Sequence, residues 1–465
     1  MQSDKNDGKH TMKEQYKHLL NFCANLVMLL VQGALFSFIW YRYYATGGYL
    51  FYRRGHWAAI GIYVLMIFFF TKTLNGYKIG YLRIMDICLS HILSILLGGF
   101  TGYVEVCLIK RDYVDPLPIL AISAIEIVFA VVWVYWIRHL YTILYPPRDV
   151  IFIYGDYEPT DLIRKFGSRE DKYHICETIS YKENEEHLYE EINQYQAVML
   201  CDLPSAERNR ILKYCYRNNI RVYVTPKISD IIMNGADNIF LFDTPLLLCR
   251  NRGLSIEQRF VKRLMDIVIS LIGTVIASPF MLIIAAAIKL YDHGPVFYKQ
   301  ERITRDGRPF MIYKFRSMSM DSEAAGARLA SKNDKRVTPV GKVLRNIHFD
   351  ELPQLFNILK GDMSVVGPRP ERQVIMDEYR KELPEFDFRT KVKAGLTGYA
   401  QVFGKYNTTP YDKLKFDMQY IENYSIGLDL KILILTFKIL FQKENTEGVD
   451  ENQTTALKSE GDHKI

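Results

Sequence analysis

The chain contains an uncharged apolar segment that is long enough to cross a lipid bilayer. Residues 19–40, LLNFCANLVMLLVQGALFSFIW, carry no Asp, Glu, Lys or Arg, and about 20 apolar residues span the hydrocarbon core as a helix. Three further candidate spans follow, at 57–71, 84–109 and 117–142. Tyr and Trp gather at the ends of these segments, as they do at membrane interfaces. We therefore predict four transmembrane helices within residues 19–145, with a soluble helical bundle as the alternative.

The basic residues between the spans indicate the orientation, because cytoplasmic loops carry an excess of Lys and Arg. With the N-terminus inside, the cytoplasmic segments, including a polar N-terminal lead over 1–18, contain Lys5, Lys9, Lys13, Lys17, Lys72, Lys78, Arg83, Arg138 and Arg148. The external loops then contain only Arg42, Arg53, Arg54, Lys110 and Arg111. The excess predicts a cytoplasmic N-terminus in the inner (plasma) membrane, and four spans return residue 146 to the cytoplasm.

Charge and cysteine content limit the classes of partner and nucleophile. The formal net charge of +7 suits an anionic partner, either a phosphate-bearing small molecule or an acidic membrane surface. No dense basic stripe with interleaved aromatic residues occurs, so no nucleic acid is expected as a partner. The seven cysteines have no CxxC spacing, which predicts reduced thiols. None follows Cys249, which excludes a thiol nucleophile in the C-terminal half.

Residues 146–249 alternate between strand-like and helix-like patterns. Apolar runs at 149–155, 197–202 and 221–226 predict buried strands, and 205–218 predicts a helix between two of them. This alternation is typical of a doubly wound, Rossmann-like α/β domain. The first strand is followed by YGDYEP, which lacks the G-x-G-x-x-G fingerprint of dinucleotide binding. A packing, regulatory or oligomerising role, such as forming a homodimer, is therefore expected for this middle domain.

A fifth apolar segment, residues 264–290, is interrupted near its centre by Ser278–Pro279. Proline lacks an amide donor and clashes with the preceding turn, so a helix kinks or breaks there. Both flanks are basic, as expected if both are cytoplasmic. Two interpretations stay open on the residues alone. One is a re-entrant helix–break–helix hairpin whose freed backbone groups are satisfied by Ser278, by neighbouring protein or by water, and the other is a kinked spanning helix.

Charged residues that could bind a phosphate or a metal follow this segment. Residues 294–323 contain two strand-like runs around a turn at Asp306–Gly307. The stretch 341–360 predicts a helix with one apolar face, and Asp350 and Glu351 lie in the middle of it. Positive charge comes from Arg302, Lys314, Arg316, Arg345 and, in the sequence GPRPE, Arg369.

These residue types suit phosphate chemistry with a hard cation. Mg²⁺ prefers one or two carboxylates and completes its octahedron with phosphates and water, and a carboxylate can itself attack phosphorus. Arg369, between two prolines, could bind a phosphate through two parallel hydrogen bonds. Adjacent helical residues point about 100° apart, which argues against a shared-proton pair. The alternative is that Asp350 and Glu351 form an ordinary solvated helix face.

Several motifs occur in a fixed order in the C-terminal half: KRLMDIVIS, the central Ser-Pro, GPVFYKQERI, KFRSM, DELPQLFNILKGDMSVVGPRPE and VKAGLTGYAQVFG. Together they resemble the bacterial sugar transferase family, the polyprenyl-phosphate hexose-1-phosphate transferases, from about residue 258 to 448. The upstream spans and α/β domain resemble long-form members that start capsule or exopolysaccharide synthesis. The catalytic domain is placed at 250–445, with a disordered tail at 446–465.

The resemblance implies a membrane protein with a monotopic α/β catalytic domain anchored by a re-entrant helix broken at Ser278 and Pro279. It implies Mg²⁺-dependent transfer of hexose 1-phosphate, expected to be glucose or galactose phosphate, from UDP-hexose to undecaprenyl phosphate. Asp350 would be the nucleophile that expels UMP, and Glu351 would assist through Mg²⁺ or as a base. Arg369 would bind phosphate, and the surrounding basic site would be formed by Arg345, Lys314 and Arg316.

Two other functions are weighed against this one. A catalytically inactive membrane scaffold could regulate polysaccharide-assembly proteins through its α/β domain, although the intact acid pair and GPRPE argue against it. A nucleotide-sugar dehydrogenase or epimerase would require the glycine fingerprint that the middle domain lacks.

Overall fold

The computed structural model describes residues 3–45, 54–182, 185–249, 253–319, 336–404 and 408–440. The predicted disordered tail lies outside these residues. The chain divides into two compact units, Met1–Thr225 and Pro226–Ile465. The predicted limits of the middle domain, residues 146–249, stay a prediction, because the boundary between the two units comes after Thr225 and not after residue 249.

Four long apolar helices form the first part of the first unit. Their bounds are α1 Ser3–Ile39, α2 Arg54–Thr73, α3 Ile84–Lys110 and α4 Leu117–Leu144, and a π-helical turn, Trp40–Tyr44, extends α1. Each contains a predicted span and is long and apolar enough to cross a membrane. Helix α1 also includes most of the predicted polar lead over 1–18, since it begins at Ser3. Between them, the Phe36 and Tyr63 rings stack at 3.9 Å, and the Tyr63 hydroxyl donates to Glu126 at 2.9 Å. Glu126 is therefore a packed and hydrogen-bonded acid.

The second part of the first unit is a parallel α/β sandwich. Its elements are β1 Arg148–Tyr154, α5 Thr160–Gly167, β2 Tyr173–Ser180, α6 Glu185–Ile192, β3 Ala197–Cys201, α7 Ser205–Arg217 and β4 Arg221–Val224. The strand order is β2-β1-β3-β4, with every pairing parallel. Residues of α5 cover one face of the sheet, and α6 and α7 cover the other. This is the doubly wound arrangement that the sequence predicts.

The second unit begins with a short helix and a hairpin, followed by a long apolar helix and the elements that carry the acid pair. The bounds are α8 Ile228–Asn234, β5 Asp237–Leu241, β6 Thr244–Leu248, α9 Ile256–Asp292, β7 Phe297–Ile303, β8 Pro309–Phe315, α10 Pro339–Asn346, α11 Gln354–Lys360, β9 Ser364–Val366, α12 Gln373–Glu382, β10 Gly395–Thr397, α13 Tyr399–Phe403, α14 Pro410–Glu422 and α15 Ile426–Leu440. The antiparallel hairpin β7–β8 confirms the predicted turn at Asp306–Gly307, where both residues have positive φ.

Helix α9 is helical from Ile256 to Asp292, with Pro279 inside it. The sequence predicts a kink or a break at Ser278–Pro279; the helix does not break there, and the kink stays a prediction. Proline removes the amide that would donate to the carbonyl four residues earlier, which here is that of Val275. The Ser278 hydroxyl donates to this carbonyl at 2.8 Å. The serine therefore satisfies the acceptor that Pro279 leaves, and the helical assignment continues through the proline.

Buried polar residues join α9 to the rest of the second unit. The Lys262 ammonium lies 2.6 Å from the Asp429 carboxylate of α15, which also accepts a hydrogen bond of 2.8 Å from the Tyr420 hydroxyl. Asp266 accepts hydrogen bonds from the Ser364 hydroxyl and the Val365 amide of β9, both at 2.9 Å. Because a buried charge without a partner is costly, these contacts determine where α9 lies against β9 and α15.

Candidate active site

The acid pair lies at a break between two helices. The sequence predicts one helix over 341–360, but α10 ends at Asn346 and α11 begins at Gln354. His348 adopts a left-handed conformation with φ of 56°, and a 3₁₀ turn, Phe349–Glu351, follows it. A left-handed residue cannot continue a right-handed helix. The prediction of a continuous helix is therefore wrong, and Asp350 and Glu351 are on a turn.

Glu351 is held between two cations. Its Oε1 atom accepts a hydrogen bond of 2.7 Å from Lys314 Nζ on β8 and one of 3.0 Å from Arg369 Nη2. Burial raises the pKa of the Glu351 carboxyl, but the charges of Arg369 and Lys314 outweigh burial and hold this pKa well below its usual range. Glu351 is therefore an ionised and oriented carboxylate.

Asp350 is buried but has a different environment. Asp350 is only 8% exposed. Among the residues that the structure describes, none donates a hydrogen bond to its carboxylate. Burial raises the pKa of Asp350, Lys314 opposes this rise, and the neighbouring charge of Glu351 adds to it. The two acids thus differ in environment: Glu351 accepts hydrogen bonds from two cations, whereas no described residue donates one to Asp350.

A buried asparagine connects the two elements on either side of the acid pair. Asn357 of α11 is completely buried; it donates to the Met311 carbonyl at 2.8 Å and accepts from the Tyr313 amide at 2.9 Å. Both partners belong to β8, the strand that carries Lys314. Asn357 therefore links this strand to the helix that follows the acid pair.

A second buried cation positions the backbone of Arg369. Arg389 donates to the Arg369 carbonyl at 2.9 Å and forms an ion pair of 2.9 Å with Asp417 of α14. Burial raises the pKa of Asp417 to about 6, although Arg389 lowers it. Just before Arg369, the backbone of Gly367 lies so close to Gly395 that there is no room for a Cβ atom. Sequence analysis did not identify Asn357, Arg389 or Asp417, since their partners are 20–46 residues away.

The structure brings some of the predicted basic residues to the acid pair and places others differently. Lys314 and Arg369 contact Glu351 directly. Arg345 is in the last turn of α10, and its charge lowers the pKa of Asp350. Arg316 forms an ion pair with Asp292 at the end of α9, so its strongest contact is with α9. Arg302 lies 4.0 Å from Glu371.

The residues at the acid pair fit a hard divalent cation. Mg²⁺ takes oxygen ligands and uses one or two carboxylates together with water and phosphate. The available oxygens are those of Asp350 and the second oxygen of Glu351, since the hydrogen bonds of the described residues are made by Glu351 Oε1. The donor set is therefore suitable for Mg²⁺.

Residues 257–443 match the family described as bacterial sugar transferase. A glucose-1-phosphate transferase acting from UDP-glucose on undecaprenyl phosphate, from Caulobacter vibrioides, is 39% identical over 189 residues, covering 40% of this chain and 71% of that protein. The chain belongs to the bacterial sugar transferase family. The acid pair, its two cations and GPRPE all lie within the matched segment.

Two further relatives of the bacterial sugar transferase family have different sugars in their names. The UDP-N-acetylgalactosamine-undecaprenyl-phosphate N-acetylgalactosaminephosphotransferase of Aeromonas hydrophila is 39% identical, over 51% of this chain and 56% of that protein. The UDP-glucose:undecaprenyl-phosphate glucose-1-phosphate transferase of Klebsiella pneumoniae is 43% identical, over 44% of this chain and 43% of that protein. The chain thus spans about half the length of these two relatives.

Proposed function

We propose that this protein transfers a sugar 1-phosphate from a UDP-sugar to undecaprenyl phosphate and releases UMP. The relatives' names, which combine UDP-sugars with undecaprenyl phosphate, support the reaction. Glucose and galactose are the sugars that we expect, and N-acetylgalactosamine also occurs among the relatives' names. The product would be the first lipid-linked sugar of a capsule or exopolysaccharide.

The observation that carries the mechanism is the difference between the two acids. Asp350 is the nucleophile because no described residue donates a hydrogen bond to its carboxylate, whereas Glu351 Oε1 accepts from both Lys314 and Arg369. A carboxylate oxygen of Asp350 attacks the sugar-bearing phosphorus, and the bond from this phosphorus to the bridging oxygen breaks to release UMP. An oxygen of undecaprenyl phosphate then attacks the same phosphorus, and the Asp350 carboxylate leaves.

The surrounding charges stabilise two anionic substrates. Arg369 is half exposed, so it can turn a guanidinium edge toward a phosphate while contacting Glu351, and Lys314 neutralises the carboxylate beside it. Preorganised charges of this kind commonly lower the barrier to phosphoryl transfer. Asp350 and Glu351 would hold Mg²⁺, which would supply further charge neutralisation for the substrate phosphates.

We also propose that α9 enters the membrane from the cytoplasmic side and returns to it. Near its start, Arg263 donates to the carbonyls of Ile358 and Leu359 in α11, and at its end Asp292 pairs with Arg316 after β8. Because Asn357 links α11 to β8, both ends of α9 contact elements on the same side of the bilayer. Many apolar residues between these ends are exposed, including Leu271, Ile272, Val275, Ile276, Leu282 and Ile283.

The reaction is tested with the purified full chain in detergent, Mg²⁺, undecaprenyl phosphate and a panel of UDP-sugars. UMP release together with a sugar-bearing lipid supports the transferase. UMP release with neither lipid product nor labelled protein would indicate hydrolysis and contradict the covalent route. No turnover with any UDP-sugar would favour the inactive-scaffold alternative.

The topology is tested by labelling Glu257→Cys and His293→Cys, two exposed positions at the ends of α9, with a membrane-impermeant maleimide. The background replaces the exposed cysteines Cys23, Cys176 and Cys249 with Ser. Both positions should be protected in intact cells and labelled in permeabilised ones. Labelling of only one of them in intact cells would mean that α9 crosses the membrane.

A further inference from the structure

A His, a Cys and an Asp converge on the α/β domain, far along the chain from the acid pair. Asp149 is the second residue of β1, and His174 and Cys176 are on the neighbouring strand β2. His174 Nδ1 lies 2.9 Å from Asp149 Oδ1, and Cys176 Sγ lies 3.4 Å from the same nitrogen and 3.6 Å from the same oxygen. Together these three atoms form a compact triangle of one nitrogen, one sulfur and one oxygen.

The triangle has the size of one face of a zinc coordination tetrahedron. Zn²⁺ binds nitrogen at about 2.0–2.1 Å, sulfur at about 2.3 Å and oxygen at about 2.0–2.2 Å in tetrahedral sites. Tetrahedral angles then separate the ligand atoms by about 3.3–3.6 Å. The observed separations are 2.9, 3.4 and 3.6 Å, so little movement would be required to place one ion in contact with all three.

A β-bulge in the edge strand contributes to this arrangement. Val150 of β1 pairs with Ile175, but the next residue, Ile151, pairs with Glu177, which leaves Cys176 without a partner residue on β1. Bulges re-aim side chains and are frequent next to functional sites. Because β2 is at the edge of the sheet, a ligand can approach from solvent.

The side chains are accessible and have a composition that suits a borderline metal. The side chains of His174 and Asp149 are 70% and 48% exposed, and Cys176 is a free, exposed cysteine. Imidazole, thiolate and carboxylate are the protein ligands of Zn²⁺. The cluster lies where β1 and β2 begin, whereas doubly wound domains bind nucleotides beyond the carboxyl ends of their strands.

We propose that Asp149, His174 and Cys176 bind one Zn²⁺ ion, with a fourth coordination position open to water. Binding converts the Cys176 thiol to a thiolate and releases its proton to solvent, while the ion takes the place of the direct contact between His174 and Asp149. The ion would fasten the bulged edge strand to β1. The α/β domain would then respond to metal supply independently of the reaction at the acid pair.

Cobalt substitution of the full chain in detergent tests the site, because a thiolate bound to Co²⁺ produces a near-ultraviolet charge-transfer band and tetrahedral Co²⁺ absorbs strongly in the visible. Mg²⁺ is kept in excess and a phosphine reductant is present. The acid pair contains no thiol, so cobalt bound there cannot produce the charge-transfer band. We expect both bands to saturate at one Co²⁺ per chain and to disappear when one equivalent of Zn²⁺ is added.

Matched variants separate this site from adventitious binding. Cys176→Ser should abolish the charge-transfer band, and His174→Gln and Asp149→Asn should each weaken Co²⁺ binding at least tenfold. Cys249→Ser, which removes another exposed thiol, should leave both bands unchanged. Persistence of the charge-transfer band in Cys176→Ser, or its absence from the parent protein at saturating Co²⁺, would overturn the proposal. If Cys176→Ser elutes as an aggregate, His174→Gln and Asp149→Asn decide. Unchanged cobalt spectra in both of these variants would exclude the site.

Discussion

Replacing each acid of the pair by its amide should separate stability from catalysis. Asp350→Asn and Glu351→Gln both exchange a carboxylate for a neutral group of nearly the same shape at adjacent positions of one turn. Their surroundings differ, because Glu351 accepts hydrogen bonds from two cations, whereas Asp350 is buried and accepts none from the described residues. The structure therefore predicts opposite effects on the free energy of unfolding.

The expected stability of Asp350→Asn follows from the raised pKa of Asp350. A raised pKa means that folding disfavours the ionised form, and each unit of rise costs about 1.4 kcal/mol at a pH above the folded-state pKa. The amide carries no charge and avoids this cost. Asp350→Asn should thus unfold at the same temperature as the parent or at a higher one, while losing at least about a thousandfold in turnover because the nucleophile is gone.

Glu351→Gln should instead be destabilised. A hydrogen bond to a charged group contributes about 1.5–3 kcal/mol, but Lys314 and Arg369 are 21% and 49% exposed, so solvent screening reduces this. We expect a net loss of about 1–3 kcal/mol. Because the pKa of Glu351 is lowered, this stabilisation is complete at neutral pH and is lost only as the pH falls through the lowered pKa.

The assay must work for inactive proteins, so heat resistance is measured as the fraction of detergent-solubilised protein that stays soluble after a temperature series. Turnover is measured as UMP release, and the covalent intermediate is trapped with UDP-sugar that is radiolabelled in the sugar. Asp350→Asn should bind no label. Substantial turnover by Asp350→Asn, or a loss of heat resistance in this variant that equals the loss in Glu351→Gln, would refute the assignment of roles.

Three further predictions concern the same site. The value of kcat/KM should fall as the pH decreases through the raised pKa of Asp350, at a higher pH than an ordinary Asp would give, because only the ionised acid attacks; a flat profile down to pH 4 would contradict this. Arg369→Lys should lower kcat/KM about 10- to 100-fold, since an ammonium cannot make two parallel bonds to a phosphate; equal activity would remove Arg369 from phosphate binding. Asn357→Ala leaves buried partners on β8 unsatisfied and should destabilise the protein by about 2–5 kcal/mol. The heat-resistance assay would report this loss. An unchanged midpoint temperature would argue against the link between α11 and β8.

Periodicity and composition predicted the elements that are apolar throughout. Helices α2, α3 and α4 and strands β1, β3 and β4 were predicted to within a few residues, because each follows an apolar run in the sequence. Helix α1 was predicted only in its apolar part, since it begins at Ser3 within the predicted polar lead. Strand β2 was not predicted, since its His174, Cys176 and Glu177 interrupt any apolar pattern. An edge strand with a bulge is half solvated, and its pairing partner, not its own sequence, determines that it is a strand.

Sequence chemistry named residues that the structure brings together, but it did not predict their geometry. Asp350, Glu351, Lys314 and Arg369 were named from their chemistry, yet the apolar spacing of 341–360 continues through the position where His348 ends the helix. Backbone conformation at a single residue leaves no trace in hydrophobic periodicity. The buried Asn357 was also missed, since its function depends on a strand more than 40 residues away.

Helix α9 packs against the turn that carries the proposed nucleophile. The second half of α9, with Met281, Ile284 and Ile288, packs in a buried cluster with Leu344, and Phe349 lies against it. The rings of Phe280 and Phe349 are 6.3 Å apart, and Phe349 directly precedes Asp350. The same apolar packing would therefore bring a lipid phosphate close to the nucleophile and remove water from it. Burial raises the pKa of Asp350, and desolvation of an anionic nucleophile raises both its pKa and its reactivity. In the proposed mechanism, this burial would therefore favour Asp350 over Glu351 as the nucleophile.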